Sequence, residues 1–275
     1  MKHRTKSKKA GKKGGKSAIN RASFISLARD EELLLGFHVV ESLLTQRPGD
    51  LLSVYFADSV VAKGRASQLK QQLEAQKIST HVVAMERFQA SFADDVHQGV
   101  AAVARGLPPG NEKALEHWLS ELEEVPFLVA LDGIQDPHNL GACLRSMEAA
   151  GAQALILPRD NNVSVNATVR RVACGAAERV PVFTVTNLVR CLQGLQSAGI
   201  WVVGTSDHSS KTLYQIDLKG PLCLVFGNEG KGMRRLTETN CDFLAGIPMQ
   251  GQVSSLNLSV AVGVTLFEAL RQRQS

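Results

Sequence analysis

Three polar, glycine-rich stretches in the second half of the chain carry the residues best suited to chemistry, and each directly follows an apolar run. They are Asp136-Pro137-His138-Asn139-Leu140-Gly141-Ala142-Cys143-Leu144-Arg145, Gly227-Asn228-Glu229-Gly230-Lys231-Gly232, and Ile247-Pro248-Met249-Gln250-Gly251-Gln252-Val253-Ser254-Ser255-Leu256-Asn257. Loops leaving the carboxyl ends of strands in a parallel α/β sheet are where ligands bind, so the trio predicts one composite site. Arg145 falls in the first two turns of a predicted helix. A cation there opposes the helix dipole, so its placement points to an anionic ligand.

Each stretch also has a plain structural use. Asn139 is suited to cap a helix that Gly151 ends, the glycines from 227 to 232 suit a tight turn, and Ser254, Ser255 and Asn257 suit the start of the last helix. The second stretch is not a P-loop, which needs four residues between its first Gly and its Gly-Lys and then Ser or Thr. Here only Asn228 and Glu229 intervene, and Gly232 follows Lys231. It comes after the fifth predicted strand of its region, whereas a dinucleotide fingerprint belongs to the first strand-to-helix turn. ATPase and nicotinamide-dependent chemistry are therefore discounted.

The elements that must position these loops are apolar runs at Phe127 to Leu131, Ala154 to Leu157, Val182 to Val185, Ile200 to Val203, Leu222 to Phe226 and Phe243 to Ile247. Their hydrophobicity is continuous rather than alternating, and helical patterns lie between them, which predicts parallel strands covered on both faces in a three-layer α/β sandwich. The closing element, Leu256 to Arg271, is apolar nearly all round until Glu268 and must be covered on more than one side. Upstream, a helix is expected over Glu31 to Leu44 and strands at Leu51 to Phe56, Thr80 to Ala84 and Gly99 to Ala104, a small mixed α/β unit. Gly106-Leu107-Pro108-Pro109-Gly110 breaks the chain before a charged amphipathic helix at Glu112 to Glu123. The expected division is a basic tail at 1–30, a first domain at 31–105, a linker and connecting helix at 106–125, and a second domain at 126–275.

With 275 residues and 44% apolar content the chain can bury two modest cores. Its net charge of +5 comes from one place: residues 1–16 hold eight Lys or Arg and no acid, leaving 23 basic against 26 acidic residues elsewhere. Such a segment is expected to stay disordered until it meets a polyanion, RNA being the natural one, and a solubilising leader is the plainer alternative. It lacks the apolar core of a signal peptide, and no apolar run approaches the length of a membrane span. Five cysteines, Cys143, Cys174, Cys191, Cys223 and Cys241, are odd in number and widely spaced, without a C-x-x-C pair for zinc or redox work. Reduced thiols in the cytoplasm are the expectation.

In order, spacing and strand context the three stretches resemble the three motifs of the SpoU (TrmH-like) RNA ribose methyltransferases, over roughly residues 126–273. Gly36-Phe37-His38-Val39-Val40 and His97-Gln98-Gly99-Val100 are similar to the L30e-like RNA-binding domain of the ribosomal RNA branch of that family. The resemblance implies transfer of a methyl group from S-adenosyl-L-methionine to a ribose 2′-hydroxyl, a guanosine of large-subunit (23S) ribosomal RNA, leaving S-adenosyl-L-homocysteine, with no metal. It implies cofactor contacts at Gly204, Thr205, Gly227, Ile247 and Leu256, and catalytic roles at Asn139, Arg145, Glu229, Ser255 and Asn257. It also implies a SPOUT-type trefoil knot in the C-terminal segment and a homodimer built on it.

A guanidinium stays charged at neutral pH and makes a poor general base. The expected role of Arg145 is a forked contact to the adjacent phosphate and a hydrogen bond to the 2′-oxygen, with Asn139 and Asn257 fixing the ribose. Further RNA contacts are expected at Lys63, Arg65, Arg170, Arg171, Lys231, Arg234 and Arg235. The competing expectations are a transfer RNA ribose methyltransferase and a catalytically silent RNA-binding or ribosome-assembly protein.

Overall fold

The computed structural model describes residues 24–28, 30–62, 64–92, 96–253 and 255–275. The basic segment 1–16, Lys63 and Ser254 lie outside the described residues. The first unit runs β1 (Glu31–Leu35), α1 (Phe37–Gln46), β2 (Leu51–Ala57), α2 (Asp58–Val61), α3 (Gly64–Ala75), β3 (Ser79–Val83), α4 (Met85–Phe92) and β4 (Val100–Arg105). Its sheet has the order β1-β4-β2-β3, antiparallel except for the β2/β3 pair.

Two expectations fail here. The helix predicted from Glu31 begins only at Phe37, because Gly36, at φ 95°, turns the chain and β1 pairs with β4 from Glu31↔Arg105 to Leu35↔Ala101. Leucine spacing suits a helix locally, but ladder pairing decides. Nor does a tail extend to residue 30. Ile25 is buried, and the Phe24 ring packs 5.3 Å from Phe88 and 5.6 Å from Tyr55, centroid to centroid.

The second unit runs α5 (Glu112–Glu121), β5 (Phe127–Asp132), α6 (Pro137–Ala150), β6 (Ala154–Pro158), α7 (Ala167–Ala173), β7 (Val182–Val185), α8 (Leu188–Ser197), β8 (Trp201–Thr205), β9 (Leu222–Gly227), α9 (Arg235–Thr239), β10 (Phe243–Ala245) and α10 (Leu258–Arg273). Its six strands, in the order β10-β8-β9-β5-β6-β7, are all parallel. Alternate residues of each central strand serve opposite layers. Phe127, Val129 and Leu131 of β5 join Leu140, Leu144, Val262 and Leu266 of α6 and α10, while Leu128 and Ala130 join Leu115, Leu188 and Leu192 of α5 and α8. Both faces are thus covered, which is why the strands read as continuous apolar runs.

Helix α5 is no mere connector. Leu115 is buried, Trp118 packs 5.7 Å from Phe183, and Gly110 bridges to Phe183, so the segment expected as a linker belongs to the third layer. Among the described residues no helix is long and apolar enough to cross a membrane.

Candidate active site

The strand order reverses at β5, with β6 and β7 to one side and β9, β8 and β10 to the other. A crevice opens at such a switch point, outside the carboxyl ends of the strands. The loops after β5, β8, β9 and β10 meet there.

Helix α6 starts one turn earlier than the sequence suggests. Asp136 is its N-cap, accepting from the His138 amide at 2.9 Å, with Pro137 in the first turn and Gly151 ending the helix at φ 77°. Asn139 is therefore inside the helix and buried, free of capping duty. Its Nδ2 donates to Glu229 Oε1 at 2.5 Å. The same oxygen accepts from Asn257 Nδ2 at 2.8 Å and from the Leu258 amide at 3.3 Å, and Asn257 Nδ2 also reaches Asn139 Oδ1 at 3.1 Å. One carboxylate oxygen thus ties all three motifs together at the N-terminus of α10, where the helix dipole favours negative charge. Asn257, meanwhile, caps α10 by accepting from the Ser259 amide at 3.0 Å.

The side-chain amides of Asn139 and Asn257 both donate to Glu229. Replacing Glu229 with alanine would strip the acceptor from three donors, one on a buried side chain. Leaving such donors unsatisfied costs about 1–3 kcal/mol. A fall of several degrees in Tm is expected, checked by thermal denaturation.

The loop after β9 owes Gly227 to backbone packing. A Cβ at Gly227 would collide with Gly232 C and Met233 N, because Asn228 and Gly232 pair backbone to backbone at 2.8 and 3.0 Å. Asn228 also pins the loop to β5, donating from Nδ2 to Gly133 O at 2.9 Å while its Oδ1 accepts from the Gly230 amide at 3.0 Å. Asp132, wholly buried at the end of β5, accepts from the Arg234 amide at 3.0 Å and Arg234 Nε at 2.7 Å. Neither Asp132 nor Asn228 was singled out from sequence. The signals were an acid ending an apolar strand and an Asn in a glycine turn.

A cavity of about 670 Å³ lies between these loops. Its walls include Thr205, Ser206, Gly227, Glu229, Lys231, Ile247, Pro248, Met249, Ser255 and Leu256. Gly204 does not line it. Its missing Cβ faces Cys241 Sγ, Met233 Cε and Leu244 Cδ2 at 2.7 to 2.9 Å, so the glycine serves packing instead. Arg145 stands outside the cavity wall, exposed on α6, with Nη1 3.7 Å from Cys174 Sγ. Burial, and then the charge of Glu229, push the Cys143 thiol up to about 12, which removes it as a nucleophile near neutrality.

The expected RNA contacts divide. Arg170 is buried and ion-paired with Glu178 and Glu32, which rules it out as a surface contact. Arg65 is held by Glu41 and His38 above the Phe37 ring, and Arg234 is held by Asp132. Lys231 and Arg235 are exposed and Arg171 is half-buried.

A parallel three-layer sandwich with three cross-linked loops beside a cavity at its switch point defines an α/β protein with a ligand-binding crevice. The model for the SpoU rRNA Methylase family matches residues 126–267, and that for RNA 2'-O ribose methyltransferase substrate binding matches residues 33–109. The chain belongs to the SpoU family. The 23S rRNA (guanosine-2'-O-)-methyltransferase RlmB of Pseudomonas aeruginosa is 51% identical over 245 residues, covering 88% of this chain and 97% of its own. RlmB of Pectobacterium atrosepticum is 49% identical over 246 residues, covering 88% and 98%. In fold, the chain is similar to the SpoU methyltransferase AviRb of Streptomyces viridochromogenes, solved with AdoMet, at a TM-score of 0.73 and 24% identity over 89% of this chain and 91% of that one.

Proposed function

We propose that this protein methylates the 2′-hydroxyl of a guanosine ribose in large-subunit ribosomal RNA, with S-adenosylmethionine as donor and S-adenosylhomocysteine as product. The observation that carries the proposal is the convergence of the three motifs on Glu229 beside one cavity. The relatives named as 23S rRNA guanosine methyltransferases align over nearly their whole length, including the first unit. That unit, residues 31–105, is proposed as an L30e-like substrate-binding domain preceding the methyltransferase domain.

The cavity suits the donor. About 670 Å³ falls within the 300–1,000 Å³ typical of small-molecule sites, and its walls pair apolar Ile247, Met249 and Leu256 with the Thr205 and Ser206 hydroxyls and open loop backbone. Thr205, Gly227, Ile247 and Leu256 would hold the cofactor. When bound, it supplies a methyl group on a sulfonium centre. Arg145, exposed on α6, clasps the phosphate beside the target ribose and donates to the 2′-oxygen as charge grows there, so catalysis rests on positioning and charge stabilisation. Asn139, Glu229 and Asn257 hold the loops in register, and Ser255 faces the cavity.

The C-terminal segment is proposed to carry the family's trefoil knot and to build a homodimer. Val260 and Phe267, each 50% exposed, stand on one face of α10 with Val264 between them, an apolar stripe suited to a second copy. A cytoplasmic setting follows from the substrate.

Ribose-methylation mapping of ribosomal and transfer RNA from cells with and without the gene tests the function. Loss of one guanosine mark in large-subunit RNA is expected. A lost transfer RNA mark, or none, would overturn the assignment. Removal of residues 1–16, with their eight basic side chains, is expected to flatten the salt dependence of RNA binding, measured as the slope of log affinity against log salt.

A further inference from the structure

The two units meet across a buried cluster of charge. Glu178, in a helical turn just after α7, has a fully buried side chain that accepts from Arg47 Nη2 at 2.5 Å and from Arg170 Nη1. Arg47, at the end of α1, also reaches Asp50 at 3.0 Å, and Arg170 Nε lies 2.9 Å from Glu32 Oε2 on β1, an ion pair without hydrogen-bond alignment. Beside it, Ser42 Oγ donates to Gly175 O at 3.0 Å, and a Cβ at Gly175 would stand 2.9 Å from Ser42 Cβ and 3.0 Å from His38 O. Buried ion pairs cost desolvation that apolar side chains of equal size avoid. Their best-attested use is to select one geometry rather than to add stability.

What that geometry controls can be traced residue by residue. Gly175 follows Cys174, a left-handed cap at φ 51° whose Sγ is the neighbour of Arg145. Helix α7 is locked to α6 because Gly141 gives it room, and a Cβ there would lie 2.6 Å from Val172 Cβ and 2.8 Å from Val169 O. Clamp, α7, α6 and Arg145 therefore form one stiff path, since close-packed interiors transmit displacement rather than absorb it.

We propose that Glu178, with Arg47, Arg170 and Glu32, is a positioning cluster that sets the substrate-binding unit against Arg145 and so selects which ribose along a bound RNA is methylated. This rests on the function proposed above. The test uses the full-length Glu178→Gln and Arg47→Gln proteins, the latter altered only in the first unit, with a large-subunit ribosomal RNA transcript. At least a tenfold fall in kcat/KM is expected, with methyl groups appearing on riboses next to the wild-type target. Affinity and stoichiometry for S-adenosylmethionine, measured by calorimetry, should stay within twofold of wild type.

Wild-type kcat, KM and target choice in both variants would overturn the proposal. So would activity falling in step with cofactor stoichiometry, the mark of a merely structural role. Small-angle scattering keeps the test separate from the functional assignment. If wild type itself transfers no methyl to the transcript, that assignment fails, and the cluster is judged on whether the variants show a larger maximum dimension, an unchanged one overturning it.

Discussion

Arg145→Lys is expected to lower kcat by about 10²-fold or more while leaving S-adenosylmethionine affinity unchanged, the size of loss seen when one preorganised donor to a developing oxyanion is removed. Arg145 stands outside the cavity wall, so the cofactor should not register the change. A planar fork can hold a phosphate and a 2′-oxygen at once, whereas an ammonium is a point charge that cannot present the same paired donors. Steady-state kinetics with calorimetry of cofactor binding is the measurement. Near-normal turnover in the lysine variant would remove the forked contact from the mechanism.

Gly227→Ala is the second, and its effect should fall on the fold of the site itself. The added methyl meets backbone atoms of Gly232 and Met233, which cannot rotate away as a flexible side chain could. Overpacking usually costs 1–3 kcal/mol, and a clash with backbone belongs at the top of that range, about 3 kcal/mol or more. The Asn228 to Gly232 pairing would open, and with it the wall of the cavity. Loss of cofactor binding in calorimetry, with a lower Tm, is expected. By contrast Gly151→Ala meets open space, although its φ of 77° still makes alanine unfavourable there.

The six parallel strands were legible because burial on both faces forces apolar residues into every position, as at Leu222 to Phe226. Gly151 was legible for an equally local reason, the left-handed φ at a helix end. Edge strand β1 was not, since Glu31-Glu32-Leu33-Leu34-Leu35 carries no alternation and gains its identity from β4, about seventy residues away. Asn139 was misread as a cap, because Asp136 and Pro137 start the helix before it. Its true partner, Glu229, lies 90 residues on. Arg170 shows the same limit: one sequence cannot tell a surface arginine from one enclosed by Glu32 and Glu178.

The hydrogen bonds that gather on Glu229 join positions 90, 28 and 29 residues distant, and their last contributors, Asn257 and Leu258, sit at the head of α10. During synthesis the amino-terminal unit can fold as soon as it emerges. The crevice cannot close until Asn257, 28 residues beyond Glu229, has been synthesised and folded against it. A polypeptide arrested before Asn257 would leave Glu229 Oε1 without two of its three donors.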